Sequence, residues 1–177
     1  MGGGAMIRVA TIDDIAALHD LVEAAFRGDS ARTGWTHEAD LLDGQRTDRA
    51  ALSELVGDPA RRMLVAEAEG RMIGCVALSF LPDGRAALGM LAVRPDLQGG
   101  GTGRALVAAA EHAAAAAGAG VMEMTVIAQR GELIAWYERQ GYRRTGGTRP
   151  FPLDDPRFGL PRTRDLYFVV LDRALAR

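Results

Sequence analysis

The chain has 177 residues, the length of one compact domain, and its 48% hydrophobic and 25% charged residues match soluble globular proteins while excluding disordered and membrane-spanning classes. A formal net charge of −2 and a pI near 5.9 leave no basic field to draw a polyanion, so no nucleic-acid partner is expected. All 21 basic residues are Arg, which excludes a phosphate-loop lysine and an internal Schiff base.

Residues 1–5 read as a tag or disordered tip, because Met6 stands where a myristoylation signal wants Ser or Thr; a single domain is expected over 6–177. Met6 to Ala10 reads as a strand. Thr11 then caps a helix from Asp13 to Phe26 with Ile15, Leu18, Leu21, Val22 and Ala25 on one face. Gly28 to Asp48 lacks periodicity and reads as a binding-loop region, before a weaker helix carrying Leu52, Leu55 and Val56. Met63 to Ala68 and Met72 to Phe80 form a hairpin across Glu69-Gly70-Arg71. Cys75 lies in its second strand, and one Cys with three His gives neither an internal disulfide nor a metal-ligand cluster, so no metal is expected.

After a turn at Pro82-Asp83-Gly84, Ala86 to Val93 is a near-continuous apolar run stopped by Arg94-Pro95, the pattern of a strand buried on both faces. Thr102 to Ala117 reads as a helix ended by Gly118, with Leu106, Ala109, Ala110, Ala113 and Ala117 inward. Its Ala-rich run is too short and too weakly apolar to span a bilayer, and no signal peptide is visible. No membrane partner is expected. Val121 to Ala128 reads as a strand, Glu132 to Gln140 as a helix ended by Gly141, and Leu166 to Leu171 as a last strand after a Pro-rich loop. Hairpins followed by strands alternating with helices predict an α/β three-layer fold around a mixed sheet.

Between the buried strand and the long helix stands Gln98-Gly99-Gly100-Gly101-Thr102-Gly103-Arg104. Glycines without a Cβ let several backbone N–H groups turn toward one anion, and the helix's positive end adds to the field; a pyrophosphate is the natural guest. A P-loop fails because Arg104-Ala105 follows Gly103 where Lys and Ser or Thr are needed. The dinucleotide fingerprint fails because its third Gly falls on Arg104 or Leu106.

What remains resembles the acetyl-CoA loop of GNAT acetyltransferases: Gln or Arg, two residues, Gly, one residue, then Gly or Ala, met here by Gln98, Gly101 and Gly103. Gly89 to Pro95 resembles the strand before that loop, and Leu133 to Tyr142 resembles the family's later segment of Tyr, three residues, Gly and an aromatic. The resemblance is specific from Gly89 to Tyr142 and by pattern extends from Met6 to Leu171. It implies a GNAT-type sheet of about six to seven strands with helices on both faces and a splayed central strand pair. It also implies acetyl-CoA as cosubstrate, a small-molecule or peptide amine as acceptor, and a homodimer as a family-level expectation; a cytoplasmic location is expected separately.

On that resemblance, Leu91, Ala92 and Val93 offer backbone groups to pantetheine, and an N–H at Leu91 or Ala92 stabilises the oxyanion. Gln98, Gly99, Gly100, Gly101, Thr102, Gly103 and Arg104 cradle the pyrophosphate, and Tyr137 is the expected general acid for the leaving thiolate. A thiol pKa of about 8.5 against a Tyr near 10 makes that transfer uphill by roughly 2 kcal/mol. Two departures stand out. The strand carries no Glu to serve as base, which leaves Glu38 as first candidate and Glu123 as second, although either also reads as a solvated surface carboxylate, and His37 as structural or exposed. Arg130 replaces an Asn that contacts the cofactor, so it either reaches a phosphate or faces solvent. The acids from Glu38 through Asp40 and Asp43 to Asp48 would attract a cationic acceptor, or mark a solvated face.

Other readings stay open: a non-catalytic acyl-CoA-binding module, or transfer of succinyl or a longer acyl group, which needs room near Met90 and Met124. The Pro-rich segment Pro150 to Pro161 offers a surface for a subunit contact.

Overall fold

In the computed structural model, which describes residues 4–176, β1 (Met6–Val9) leads through a 3-10 turn into helix α1 (Ile15–Phe26). The expected tip over residues 1–5 lies largely outside the described residues. The Asp14 carboxylate accepts from the Thr11 backbone N–H at 2.7 Å and sets the start of this helical stretch. Next come the one-turn helix α2 (Gly28–Ala31), the short strand β2 (Leu42–Asp43) and helix α3 (Arg49–Gly57), whose first turn is capped by Asp48 accepting from the Ala51 N–H.

Strands β3 (Arg61–Ala68), β4 (Arg71–Leu81) and β5 (Arg85–Val93) form a meander. Glu69 and Gly70, with φ of 53° and 72°, make the two-residue turn between the first pair, the left-handed geometry that matches the twist of adjoining strands. Helix α4 (Thr102–Ala116), strand β6 (Val121–Ile127), helix α5 (Gly131–Arg139), β7 (Arg143–Pro150), the two-residue β8 (Leu160–Pro161) and β9 (Tyr167–Ala174) complete the chain.

Seven strands make one mixed sheet in the order β1-β3-β4-β5-β6-β9-β7, with β5 and β6 its parallel pair, while β2 and β8 pair separately. Side-chain alternation along β3 assigns the two cores: Leu64 and Ala66 face α4 and α5, and Met63 and Val65 face α1 and α3. The helices therefore lie on both faces, as expected of the three-layer fold.

Two details depart from expectation. β7 has no counterpart in the sequence reading, because all eight of its residues are exposed and it carries no apolar alternation; it is an edge strand held by β9. In α4 the buried residues are Leu106, Val107, Ala110 and Ala114, and Ala117 lies exposed past the helix end, so the inward face is rotated from the one expected.

Leu106 is fully buried, and a Cβ added at Gly74 on β4 would come within 2.9 Å of its Cδ1. Small against large at this contact lets α4 sit directly on the sheet. Leu106→Ala is expected to cost about 2–5 kcal/mol in urea unfolding. Gly74→Ala is expected to destabilise the wild type more than it does the Leu106→Ala background, where the colliding methyl is gone.

Candidate active site

The site exists because β5 and β6 separate. Their pairing covers Arg85–Ala87 against Val121–Glu123 and then stops, although β5 continues to Val93. On its other edge β5 loses register with β4: Met90 and Leu91 stand opposite the single residue Val76, and Met90 adopts φ 51°. This positive φ is strained for a residue with a side chain, and it re-aims the strand at the point where the sheet opens. The expectation of a strand buried on both faces fails here for that reason, with Gly89 exposed and Met90 and Leu91 half-buried.

Two cavities flank the opening. The first, about 320 Å³, runs from Leu91, Ala92 and Val93 to the glycine loop at the start of α4. Gly99 and Gly101 have φ of 87° and 89°, and a Cβ at either would meet nothing within 4 Å, so both leave open space on the ligand side. Among the described residues no backbone acceptor serves the N–H groups of Gly99 to Arg104. Those donors, at the positive end of a 15-residue helix, form an anion cradle that fits a pyrophosphate. The Gln98 amide donates to the Val93 carbonyl at 3.2 Å and fixes the loop against the strand end. Trp35 and Trp136 line the same cavity with ring centroids 6.2 Å apart.

The second cavity, about 220 Å³, lies on the other side of Leu91 and is lined by Glu38, Tyr137, three arginines and a largely apolar wall. The cavities share Phe26, Leu91, Arg130 and Leu133. Tyr137 is 4% exposed, packs edge-on to Trp136 and Tyr142, and its hydroxyl has no hydrogen-bond partner among the described residues. Burial pushes its pKa up, against a downward pull from Arg130. The phenol therefore keeps its proton throughout the physiological range.

Glu38 is not the solvated carboxylate of the surface reading. It is 7% exposed and sits between two guanidiniums equally buried, pairing with Arg27 and, at 3.1 Å, with Arg130. Burial favours its neutral form, but Arg130, Arg46 and Arg27 together outweigh this and hold it below the ordinary carboxylate range. Arg130 also donates to Thr36 Oγ1 at 2.7 Å, and Arg27 to the Phe158 carbonyl at 3.1 Å.

The family model described as Acetyltransferase (GNAT) family matches residues 15–142, most of the chain. The chain belongs to this family. Its fold is similar to the ribosomal-protein-S18-alanine N-acetyltransferase of Escherichia coli (18% identity, TM-score 0.70, covering 98% of this chain and 95% of that one). It is similar too to a ribosomal-protein-alanine N-acetyltransferase of Brucella melitensis (22%, 0.69, 96% and 99%). A third similar structure is yncA of Salmonella typhimurium, solved with its cofactor acetyl-CoA (18%, 0.71, 99% and 96%). No curated protein sequence matches the chain.

Within this GNAT fold, Leu91, Ala92, Val93, Gln98, Gly99, Gly101, Thr102, Gly103, Arg104 and Arg130 all line the first cavity. Gly100 is exposed beside the Leu97 carbonyl and does not line it, because the loop turns outward there. Arg130 neither faces solvent nor stands free for a phosphate, since Glu38 and Thr36 hold it. Glu123 lines neither cavity; Arg85 and Arg149 bind it at 2.9 and 3.2 Å, and it sits on the part of β6 still paired to β5. His37 accepts from the Ala39 N–H at 3.1 Å, a local turn contact. The acids of the loop are likewise committed, Asp43 to Arg162, Asp40 to Arg32 and Asp48 to the α3 cap, so they do not form an acidic mouth. The sequence reading missed Arg27 and Arg46 altogether.

Gly101→Ala is expected to leave the fold intact while lowering Tm by a few degrees, since the left-handed φ costs an alanine roughly 1 kcal/mol. Its Cβ would enter the cradle and reduce CoA affinity by about tenfold or more in calorimetry. Glu38→Gln would leave buried arginines without their counter-ion and is expected to cost about 3–5 kcal/mol at pH 7. The folded-state pKa of Glu38 is depressed, so this stability is present above the unfolded value of roughly 4.3 and is lost as pH falls through the folded pKa. Unfolding curves of wild type and Glu38→Gln should therefore differ most at neutral pH, begin to draw together as pH falls below about 4, and meet only below the depressed folded pKa.

Proposed function

We propose that the chain transfers acetyl from acetyl-CoA to a primary amine by direct attack, with Tyr137 as general acid. The observation that supports this most is the opening between β5 and β6, which joins an anion cradle on one side to a chamber holding a proton-bearing phenol on the other. The Salmonella typhimurium neighbour was solved with acetyl-CoA, and the Escherichia coli and Brucella melitensis neighbours are named for acetylating alanine of ribosomal proteins.

The glycine loop from Gly99 to Gly103 would bind the pyrophosphate, and the unpaired edge of β5 from Leu91 to Val93 would align the pantetheine arm as an added strand. Acetyl-CoA supplies the thioester carbonyl, whose C–S bond breaks as the amine forms the N–C bond. Of the two N–H groups expected to steady the negative charge on that oxygen, that of Leu91 is favoured, because the bulge at Met90 takes it out of the β4 ladder while Ala92 is back in that ladder opposite Cys75. Tyr137 would give its proton to the thiolate sulfur. Its raised pKa makes this transfer steeper than the roughly 2 kcal/mol of an ordinary phenol. Arg130, the cation acting on Tyr137, offsets part of that cost.

Glu38 is a poor base for the amine, since both of its oxygens are held by guanidiniums and its proton affinity is low. It serves instead as the counter-ion that anchors Arg27 and Arg130, and the ammonium proton leaves to solvent through the open cavities before attack.

Thiol release from acetyl-CoA across an amine panel tests the reading. Tyr137→Phe should lower kcat by about 100-fold with little change in KM for acetyl-CoA. A kcat within about twofold of wild type removes Tyr137 from the mechanism, and no thiol release on any amine, despite CoA binding, would leave a non-catalytic binding module.

A further inference from the structure

The second cavity has a charge and a wall that the acetyl donor does not explain. Arg27, Arg46 and Arg130 line it with one carboxylate, Glu38, which Arg27 and Arg130 already bind. Both of these arginines are more than nine-tenths buried, and each keeps a buried Nε without a partner. Arg46 is different. Its guanidinium makes no ion pair or side-chain hydrogen bond among the described residues and lies over the Phe26 ring, 5.2 Å from the centroid. The nearby Glu23 carboxylate is spent on the backbone N–H groups of Arg46 and Thr47, both at 2.8 Å. Even counting Glu23, three guanidiniums face two carboxylates, so the chamber carries net positive charge.

The wall around these cations is apolar. Phe26, Phe151, Phe158 and Phe168, four of the chain's five phenylalanines, line it together with Met90 and Met124. At about 220 Å³ the chamber is below the roughly 300–1,000 Å³ of sites for drug-sized ligands, which suits a small molecule better than a polypeptide segment. A polyamine or other polycation would meet uncompensated guanidiniums here, which opposes the attraction expected from the acidic loop residues.

Resting on the acetyl-transfer reading, we infer that the acceptor is a small aminocarboxylate with an apolar side chain, its carboxylate received by Arg46 and its side chain by the phenylalanine wall. The amine end then points past Leu91 toward the opening, on the same side as Tyr137. Burial disfavours the charge on Arg46, as do Arg27 and Arg130, and these outweigh the pull of Glu38 and Glu23, so a further anion relieves a cost already present in the fold. A guanidinium fork is also the side chain best matched to a carboxylate.

The test compares leucine with leucinol and phenylalanine with phenylalaninol, pairs that keep the amine and side chain and exchange carboxylate for hydroxymethyl. With wild type and acetyl-CoA, kcat/KM should favour the carboxylate member by about tenfold or more. Arg46→Met should collapse that ratio through KM, and Arg46→Lys should keep part of it, with thermal melts confirming that both variants fold. Equal use of the pairs, or a ratio unmoved by Arg46→Met, overturns the inference while leaving acetyl transfer in place. If no amine releases thiol, the acetyl-transfer reading has failed and binding decides this one. Tighter binding of N-acetylphenylalanine than of N-acetylphenylalaninol in calorimetry with CoA present supports the anion site, and equal binding overturns it.

Discussion

Three residues of parallel pairing, Arg85–Ala87 against Val121–Glu123, join the antiparallel half of the sheet to the half formed by β6, β9 and β7. Everything at the site follows from how short that seam is. A longer seam would satisfy the β5 edge and close the opening; none at all would leave the halves joined through helices alone. The bulge at Met90 works with the seam, because three residues beyond the last pair it bends β5 where that strand has already left β6, at a cost in backbone strain. Helix α4 then begins beyond the strand end, so its unsatisfied N–H groups and the free strand edge border one continuous cavity.

The opening would be a weakness if nothing spanned it. The Glu38 carboxylate does so from the loop after α2, drawing in Arg27 from the end of α1 and Arg130 from the N-terminal boundary of α5. Charges this buried do little for net stability compared with a well-packed apolar cluster, but losing one partner is costly. Their value here is positional. Arg130 lines both cavities, and with Thr36 and Glu38 it sets how the loop sits on α5, where Trp35 meets Trp136.

How much of this was legible in the sequence depended on how local the cause was. The glycine loop could be read because strand end, φ-permissive residues and helix start are contiguous, and Tyr137 because its motif ends at the nearby Gly141 and Tyr142. The Glu38 cluster could not, since its partners lie 11 and 92 residues away and their pairing is decided by the fold. Arg130 left a trace as a departure from the GNAT pattern, read without its partner. Arg46 left none: a lone Arg in an aperiodic loop carries no signal until Phe26 is seen beneath it. β7 escaped for the opposite reason, being an edge strand with no buried face to impose alternation.

The two cavities draw on different parts of the chain, and under the proposed reading this would separate the chemistry from the choice of acceptor. The first cavity, the proposed donor side, is built largely from β5 and the start of α4, fixed by the sheet core through Val93, Leu106 and Val107. The charged part of the second cavity, the proposed acceptor side, comes mainly from Arg27, Glu38 and Arg46, residues within one irregular stretch that contributes only the two-residue strand β2 to any ladder. Substitutions in that stretch can change sign and shape at the acceptor without moving the seam, the bulge or the anion cradle. The exception is Arg130, which belongs to both sides. Any change that releases it from Glu38 acts on both cavities and on the field at Tyr137 together, so on the proposed reading this one ion pair would couple specificity to turnover.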